Sequence, residues 1–289
     1  MKYLKIDGFI LKIIAFVLMT FDHIGLFLNM YNDPSSSIYL IGTIFRIIGR
    51  LAFPLFILML VEGIKHSKNV GRYLMRIALV GVIVLIAEAI IYYCFTSDIN
   101  GANSPLIDLF MCGLLLALLK RKDKYSLFAI LPLSYILLSF GVVVYEKISL
   151  SSVIWFPFYV RSGYSILGLL LSLGFYYADK ILDKILATRW MIINKESEQY
   201  QKYLNIIYSI VIIVVITFLY LISFIQINNV RVFDHYTMSI EIYALLSPLI
   251  IFFYNGKRGY NKKWFQYGAY LYFPVHIIII FLIFTLIYS

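Results

Sequence analysis

Long runs of apolar residues, separated by short polar loops, dominate this chain of 289 residues. A run of about 20 residues spans the hydrocarbon core of a bilayer as a helix, because a helix satisfies its own backbone hydrogen bonds where lipid cannot. The pattern predicts nine membrane-spanning helices, with the N-terminus in the cytoplasm. They cover residues 9–30, 38–64, 73–95, 104–120, 125–145, 153–178, 203–227, 236–254 and 264–287. We therefore expect an all-α, polytopic transmembrane helix bundle that forms a single domain over residues 1–289.

The sixth apolar run is interrupted by polar and helix-breaking residues. It contains Pro157, Arg161 and Gly163, which disfavour one continuous membrane helix. The alternative is a short re-entrant piece followed by a full helix that begins near Tyr164. If that piece crosses the membrane separately, the protein has ten spans and the topology of the later helices inverts.

The polar segment at 179–202 mixes both charge signs and contains a short apolar cluster, Trp190, Met191, Ile192 and Ile193. Such a composition is typical of a helix that lies on a membrane surface. We therefore expect a cytoplasmic amphipathic helix in this segment.

Basic and non-basic loops alternate along the whole chain. Lysines and arginines cluster before the first run and then around 65–76, 120–124, 179–202 and 257–263, whereas the loops between these clusters are poor in base or balanced by acid. Under the positive-inside rule this alternation predicts a cytoplasmic N-terminus and an outer C-terminus. One additional crossing would break the alternation, which favours nine spans over ten.

Composition narrows the classes of function. The chain is 62% hydrophobic and 14% charged, whereas soluble domains are about 45–50% apolar and about 25% charged. A net charge of +10 on a soluble domain would suggest nucleic acid. Here the basic residues lie in loops, where they indicate topology and contact with anionic lipid. We expect membrane lipid as a partner and no nucleic acid.

The two cysteines, Cys94 and Cys112, fall in or near separate apolar runs. Free apolar thiols are favoured over a disulfide, and the lack of a CxxC or Cys/His grouping argues against a zinc site. The first apolar run is too long for a cleavable signal and carries Asp22 and His23 near its far end, so we expect this helix to be retained.

Ionisable residues inside the apolar runs indicate where function lies, because each costs about 2.5–3.5 kcal/mol to place at mid-bilayer. Asp22 and His23 lie past the midpoint of the first helix, toward the outer side. Adjacent helical side chains point about 100° apart, so the two cannot both face one partner. His23 is the best general base in the chain, since its ordinary pKa lies near neutrality. The alternative is a structural histidine bonded to a neighbouring helix.

Arg46 and Arg50 lie four residues apart and therefore on one face of the second helix. We expect both to face the bundle interior, with Asp22 as a partner, either as part of a site or as a purely structural clamp. Arginine also suits phosphate and carboxylate groups through its planar fork. Pro54 follows and should kink the helix, which can open a cavity.

Three further residues are expected to line a cavity. Glu62 lies near the cytoplasmic end of the second helix, where an interfacial position is the alternative. His276 follows Pro274 near the middle of the last helix, with Tyr272 close by, which predicts polar cavity walls.

Three ionisable residues have no role assigned. Glu88 and Arg161 have no evident partner in sequence, and each needs one in the bundle interior. His235 lies in a predicted outer loop, where we expect it to be solvated.

Separated blocks of residues occur in a recognisable order near both ends of the chain. They are Asp22-His23-Ile24-Gly25, the stretch GRLAFPLF at 49–56 that runs on to Glu62-Gly63, YLMR at 73–76, NGKRG at 255–259, Lys263-Trp264 and YFPVH at 272–276. Together they resemble the TraX family of bacterial membrane proteins, over about residues 9–80 and 250–280. The family commonly shows Tyr-Pro before the last histidine, and Phe273 takes the place of that tyrosine here.

The resemblance implies an acyl-CoA-dependent N-acetyltransferase of the bacterial cytoplasmic (inner) membrane, related to the wider transmembrane acyltransferases. It implies acetyl-CoA as co-substrate, no metal, and an amine or hydroxyl acceptor on a peptide, pilin-like or cell-envelope molecule. A histidine of the first helix and arginines of the second carry over from that pattern onto His23, Arg46 and Arg50.

In the mechanism that this family implies, His23 removes a proton from the acceptor. Asp22 holds one of the arginines, and the arginines stabilise the oxyanion or bind a CoA phosphate. The nucleotide of CoA is expected to bind at a basic cluster on the cytoplasmic side, although that cluster can also be a topology signal alone. Its members are Lys65, Lys68, Arg72 and Arg76.

Two other classes of function compete with the enzyme. A secondary transporter would also place Asp, Arg and His inside a bundle, but the chain shows no inverted repeat and no paired broken helices. A scaffold of an envelope or conjugation complex would tolerate the loss of His23, whereas the enzyme would not.

Overall fold

A computed structural model of the protein describes residues 5–96, 103–190, 193–234 and 238–288. His235 lies outside these ranges. Within them the chain is all-α apart from one short hairpin. The α-helices are α1 Gly8–Tyr31, α2 Ser37–Gly49, α3 Ala52–His66, α4 Val70–Thr96, α5 Pro105–Leu119, α6 Ile130–Ser149, α7 Ser165–Thr188, α8 Glu198–Ile222, α9 Met238–Glu241, α10 Pro248–Ile251 and α11 Lys263–Tyr288. The antiparallel hairpin pairs β1 Gln226–Ile227 with β2 Val230–Arg231.

Three short 3₁₀ helices precede or connect these α-helices. Lys124–Ala129 leads into α6, Phe158–Val160 precedes α7, and Ile242–Leu246 joins α9 to α10. The hairpin turns at Asn228 and Asn229, both with positive φ, as a two-residue turn between right-twisted strands requires.

Each of the nine predicted runs contains helix. Seven segments in the described part of the chain are long and apolar enough to cross a membrane, and the protein is therefore a multi-pass membrane protein. The two shorter apolar segments are Pro105–Leu119 and Ile242–Ile251. Both cysteines are free, as predicted, with Cys94 exposed and Cys112 buried.

The second predicted helix is two helices, α2 and α3, rather than one kinked helix. Residues 50 and 51 separate them, and Pro54 lies in the first turn of α3. Proline lacks an N–H, and its ring clashes with the carbonyl of the residue four positions earlier, which is Arg50 here. The helix therefore breaks where a kink was expected, and Arg50 lies at the junction between α2 and α3.

The prediction of one helix over 153–178 is wrong, and the alternative of an irregular piece followed by a helix is correct. Apart from Phe158–Val160, residues 150–164 are not helical, and α7 begins at Ser165. Glu146 anchors the irregular segment through two hydrogen bonds from Arg161, Nη1 to Oε2 at 2.6 Å and Nη2 to Oε1 at 2.8 Å. Glu146 is thus the partner that Arg161 needed.

The first turn of α7 is held by a buried carboxylate from α5. Asp108 accepts hydrogen bonds from the Ser162 hydroxyl, from the Gly163 N–H at 3.0 Å and from the Ser165 N–H at 2.9 Å. Non-helical backbone at membrane depth must find its partners within the protein. Asp108 of α5 supplies them.

The surface helix expected within 179–202 is absent from the described part of that segment. Residues up to Thr188 continue α7, and α8 begins at Glu198. Contacts between the two long helices explain the difference, since Tyr200 is buried and its hydroxyl donates to Asp183 Oδ1 at 2.9 Å.

Several helix ends meet at one end of the bundle, which we call the basic end and define by Lys65, Lys120 and Lys257. Lys120 Nζ, at the end of α5, donates to the last carbonyls of α3, Ile64 O at 2.8 Å and Lys65 O at 3.0 Å. The Gly8 N–H at the start of α1 donates to Lys257 O at 2.7 Å. The end of α3 thus lies beside the end of α5, and the start of α1 beside the loop before α11. The first half of α8 links the two pairs, because Tyr208 donates to Glu62 of α3 at 3.4 Å and Asn205 donates to Tyr254 O at 2.6 Å.

Candidate functional site

Arg50 is the centre of a buried ionic network where α2 ends. Its Nη2 donates to Asp22 of α1, and its Nη1 donates to Glu241 Oε1 of α9 at 2.6 Å and to the Tyr164 hydroxyl at 3.1 Å. Its Nε donates to Arg46 O at 3.3 Å. The expected pairing of Asp22 with one of the two arginines is confirmed, and Arg50 is the one.

Close packing of α1 against α2 brings Asp22 to Arg50. A Cβ atom added at Gly49 would collide with the backbone and Cβ of Asp22, and one added at Gly42 would collide with Asn29 and the backbone of Gly25. Small residues at such contacts let membrane helices approach closely. The glycines of α2 are therefore the local reason that a carboxylate of α1 reaches the guanidinium.

His23 faces a different partner from Asp22, as the 100° offset predicts. Its Nδ1 lies 2.9 Å from His276 Nε2 of α11. His276 Nδ1 lies 2.7 Å from Tyr272 O, one turn earlier in its own helix. The Tyr272 ring stacks parallel on the His276 ring at 4.8 Å, and its hydroxyl bonds to Thr20 and Phe16 O of α1. Tyr272 therefore joins α11 to α1 beside the histidines.

These contacts determine the tautomers of the two neutral histidines. A carbonyl oxygen only accepts, so His276 Nδ1 carries the hydrogen that reaches Tyr272 O. His276 Nε2 is then an acceptor, and His23 Nδ1–H must be its donor. The remaining nitrogen, His23 Nε2, carries a lone pair. The geometry thus leaves His23 Nε2 able to accept a proton, with His276 bonded to the other nitrogen of the ring.

A cavity opens beside the histidines and the ionic network. It encloses about 640 Å³ of space not filled by atoms, open solvent included. Its polar walls are Asp22, His23, Arg50, Glu88, Ser104, Tyr164 and His276. Most of the remaining wall is apolar and aromatic, so a ligand would meet few polar groups, placed close together.

The structure separates the other predicted site residues from this cavity. Arg46 interacts electrostatically with Asp22, but it does not line the cavity, and its Nε has no hydrogen-bond partner among the described residues.

Glu62 is also distant from the cavity. It lies about 18 Å from Arg50 along the helix axis, at about 1.5 Å per residue. It accepts from the Tyr208 hydroxyl at 3.4 Å and pairs with His66 at 3.2 Å.

The predicted cofactor-binding cluster lies at the basic end, and its members differ in their exposure and in their contacts with the protein. Lys65 pairs with Asp179 at 3.4 Å, and Arg76 lies over the Tyr267 ring at 5.9 Å. Lys68 and Arg72 are exposed. Lys68, Arg72 and Arg76 are thus exposed, but Arg76, like the half-buried Lys65, already has a contact within the protein.

Two residues of the network were missed from the sequence. Glu241, 1% exposed, lies in the eighth apolar run, and Tyr164 was noted only as a possible helix start. An acidic residue within an apolar run was the available signal for Glu241. No group of three or more metal-ligating side chains occurs in the described ranges.

Comparisons with known proteins give a family and a distant relative. The family model described as TraX protein matches residues 7–184. "Probable fimbrial assembly protein FimC, serogroup H1" of Dichelobacter nodosus is 37% identical over 82 residues, which is 28% of this chain and 31% of that protein. The aligned region thus spans about a third of the relative's length. No solved structure matches the chain.

The family match includes Asp22, His23, Arg50 and Glu88, as well as the middle of the chain, which the residue blocks alone did not cover. It covers more than half of the chain and agrees with the resemblance carried by the blocks between residues 22 and 76, whereas the blocks at 255–276 lie outside the matched range. The chain belongs to the TraX family.

Proposed function

We propose that this protein is a membrane-embedded acetyltransferase. It would move an acetyl group from cytoplasmic acetyl-CoA to an amine or hydroxyl of a peptide, pilin-like or cell-envelope acceptor. The observation that carries the proposal is the contact of 2.9 Å between His23 Nδ1 and His276 Nε2 in the wall of a cavity. Membership of the TraX family supports it, and the fimbrial-assembly name of the relative supports a pilin-like acceptor.

In this proposal His23 Nε2 takes a proton from the acceptor as the acceptor attacks the thioester carbonyl. The positive charge that forms on His23 can move to His276 when the shared proton shifts from Nδ1 to Nε2. Asp22, the next residue along α1, stabilises that positive charge. A positioned base of this kind contributes about 10²–10⁴-fold to a rate.

Arg50 serves in this proposal as a positioning residue. Four of its hydrogen-bond contacts are made within the protein, to Asp22, Glu241, Tyr164 and Arg46. A guanidinium has five N–H donors, so one remains for a substrate oxygen. Two carboxylates also neutralise its charge. Arg46 does not line the cavity, so in this proposal it acts through its electrostatic interaction with Asp22 and not by contact with the oxyanion.

Acetyl-CoA would be shared between two regions. The thioester would enter the cavity, and the phosphates would bind at the basic end, where Lys68 and Arg72 are exposed. Lys68 and Arg72 do not line the cavity, so the bound CoA would extend from the cavity to the basic end.

The proposal includes nine crossings of the bacterial inner membrane, with the N-terminus in the cytoplasm. Support comes from the two short segments. The C-terminal end of α5 contacts the end of α3 through Lys120, and Tyr254, just after α10, accepts a hydrogen bond from Asn205 near the start of α8 at 2.6 Å. Each short segment thus returns the chain to the basic end, which the positive-inside rule assigns to the cytoplasm.

The test is acetyl transfer by purified protein in detergent. Radiolabelled acetyl-CoA is supplied with envelope proteins from a strain that lacks this protein, and mass spectrometry locates the label. His23→Ala should lose transfer, while the matched control His66→Ala, on the exposed end of α3, should keep it. Wild-type protein that is folded but transfers no acetyl group would refute the proposal.

Binding of acetyl-CoA is measured separately by calorimetry. The double variant Lys68→Ala/Arg72→Ala should bind it more weakly than wild type, and the control pair Lys122→Ala/Lys124→Ala should not. Equal binding by both double variants would remove the phosphate contact from the proposal while leaving the transfer test intact.

A further inference from the structure

Glu88 of α4 lies in the cavity wall but takes no part in the histidine pair or the Arg50 network. Its side chain is 7% exposed. The backbone of Asn103 donates a hydrogen bond to the carboxylate. The other oxygen, Oε2, has no hydrogen-bond partner in the ranges that the structure describes. Glu88 is therefore a cavity-lining residue with one buried carboxylate oxygen whose capacity to accept hydrogen bonds is unused.

A buried carboxylate of this kind is costly to keep. A charge removed from water needs an opposite charge or hydrogen-bond donors, and in a membrane bundle such groups mark substrate sites. A ligand that brings a positive charge and several N–H donors would satisfy Glu88 Oε2. The carboxylate thus favours a neighbouring ligand group that is positively charged and carries N–H donors.

The charge balance of the cavity wall favours a cation. Asp22 and Glu241 share Arg50 as a partner, and Arg46 interacts electrostatically with both carboxylates, so these four charges cancel. His23 and His276 are both neutral in the hydrogen-bonded chain derived above. An ionised Glu88 therefore leaves one negative charge in the wall that nothing in the wall balances.

The rest of the wall also suits a compact ammonium group. Phe53, Phe56 and Phe273 line the same cavity. The faces of aromatic rings attract cations. A neutral hydroxyl gains little from these rings and can donate only one hydrogen bond to Glu88.

We propose that Glu88 is the residue that selects the acceptor, by binding the ammonium group of a primary amine. The identification of that amine as an acetyl acceptor rests on the proposed function. Hydroxyl acceptors are thereby disfavoured in this cavity.

Each proton lost by the acceptor nitrogen in this reaction has an acceptor. Glu88 holds R–NH₃⁺, and His23 Nε2 accepts one proton, which leaves R–NH₂. The nitrogen lone pair forms a bond to the thioester carbonyl carbon, and the carbon–sulfur bond breaks as the carbonyl reforms. CoA departs as a thiolate and takes the second proton from nitrogen. The products are the acetamide, CoA thiol and a protonated histidine.

The experiment measures binding of three probes to detergent-purified protein by calorimetry, without acetyl-CoA. The probes are phenylalaninamide, its N-acetyl derivative and phenyllactamide, which carries a hydroxyl in place of the amine. Variants are Glu88→Gln, Glu88→Asp and the control Glu196→Gln, an exposed glutamate in the turn before α8. Size-exclusion chromatography establishes that each variant is folded, and Glu88→Asp keeps the charge if Glu88→Gln fails to fold.

Wild type and Glu196→Gln should bind phenylalaninamide in preference to both analogues. Glu88→Gln should bind it about 10- to 100-fold more weakly, as expected for a lost hydrogen bond between charged groups, and Glu88→Asp should fall between. Equal amine binding by Glu88→Gln and wild type would overturn the proposal. So would wild-type protein that does not distinguish the amine from the hydroxyl analogue.

Failure of this inference differs from failure of the proposed function. Acetyl transfer by wild type with unchanged transfer by Glu88→Gln would refute the role of Glu88 and keep the enzyme. Amine binding that depends on Glu88, in a protein that transfers no acetyl group, would refute the enzyme and leave an ammonium site, as a transporter would have.

Discussion

His23 of the first helix and His276 of the last helix share a hydrogen bond of 2.9 Å across 253 residues of chain. His276 in turn is held by the carbonyl of Tyr272 at 2.7 Å. This order, carbonyl to histidine to histidine, is the one that leaves a lone pair on His23 Nε2. It joins the first and last helices at the wall of the cavity.

Replacing His276 with alanine should reduce acetyl transfer without abolishing it. His23 remains as a base in this variant, but its Nδ1–H loses the acceptor that holds the reactive tautomer. We expect a fall of about 10- to 1,000-fold, smaller than the effect of His23→Ala, at the lower end of general-base contributions. Initial rates at saturating acetyl-CoA measure it. An unchanged rate would mean that His276 serves packing alone.

Replacing Arg50 with glutamine should destabilise the protein, because Asp22 and Glu241 would remain buried without their common partner. Removing one member of a buried ion pair costs about 3–5 kcal/mol. The measurement is the free energy of unfolding in mixed detergent micelles. The triple variant Asp22→Asn/Arg50→Gln/Glu241→Gln should recover part of the loss, since no unpaired charge is left. If Arg50→Gln were as stable as wild type, the buried ionic network would not stabilise the protein as expected.

Gly49→Ala should disturb the site, whereas Gly268→Ala should not. A methyl group at Gly49 meets the backbone and Cβ of Asp22, while one at Gly268 meets nothing within 4 Å. Alanine is otherwise the better helix former, by about 1 kcal/mol. We expect a lower unfolding temperature and reduced transfer for Gly49→Ala, and equal or greater stability for Gly268→Ala. Equal behaviour of the two variants would exclude the close contact of α1 with α2.

Single cysteines in two loops should report the topology. In a background with Cys94 and Cys112 replaced by serine, Ser151→Cys after α6 should react with an impermeant maleimide in intact cells. Lys122→Cys, between α5 and α6, should react only after the membrane is permeabilised. Both positions are exposed. The reverse labelling pattern would invert the proposed orientation, and labelling of both from outside would contradict the crossing by α6.

Much of the architecture follows from local sequence pattern. Apolar runs of membrane length predict where helices form, because lipid leaves the backbone no other way to satisfy its hydrogen bonds. The same reasoning led to Asp22, Arg50 and His23, since charges in such runs are too costly to lack a partner. It failed at residues 150–164, where protein groups replace the helix as hydrogen-bond partners. Asp108 and Glu146, distant in sequence, make that possible.

Local sequence pattern was sufficient to predict a multi-pass helical protein of the TraX family, most of its helices, and the pairing of Asp22 with an arginine of the second helix. Packing of the helices was needed to show that His276 contacts His23, that Glu241 completes the Arg50 network, and that Glu88 lines the cavity with an unpartnered oxygen. The difference lies in the sequence distance over which each interaction acts. Periodicity and the cost of burial act within one helix, whereas these partners lie 191 and 253 residues away, and their pairing depends on how the helices pack.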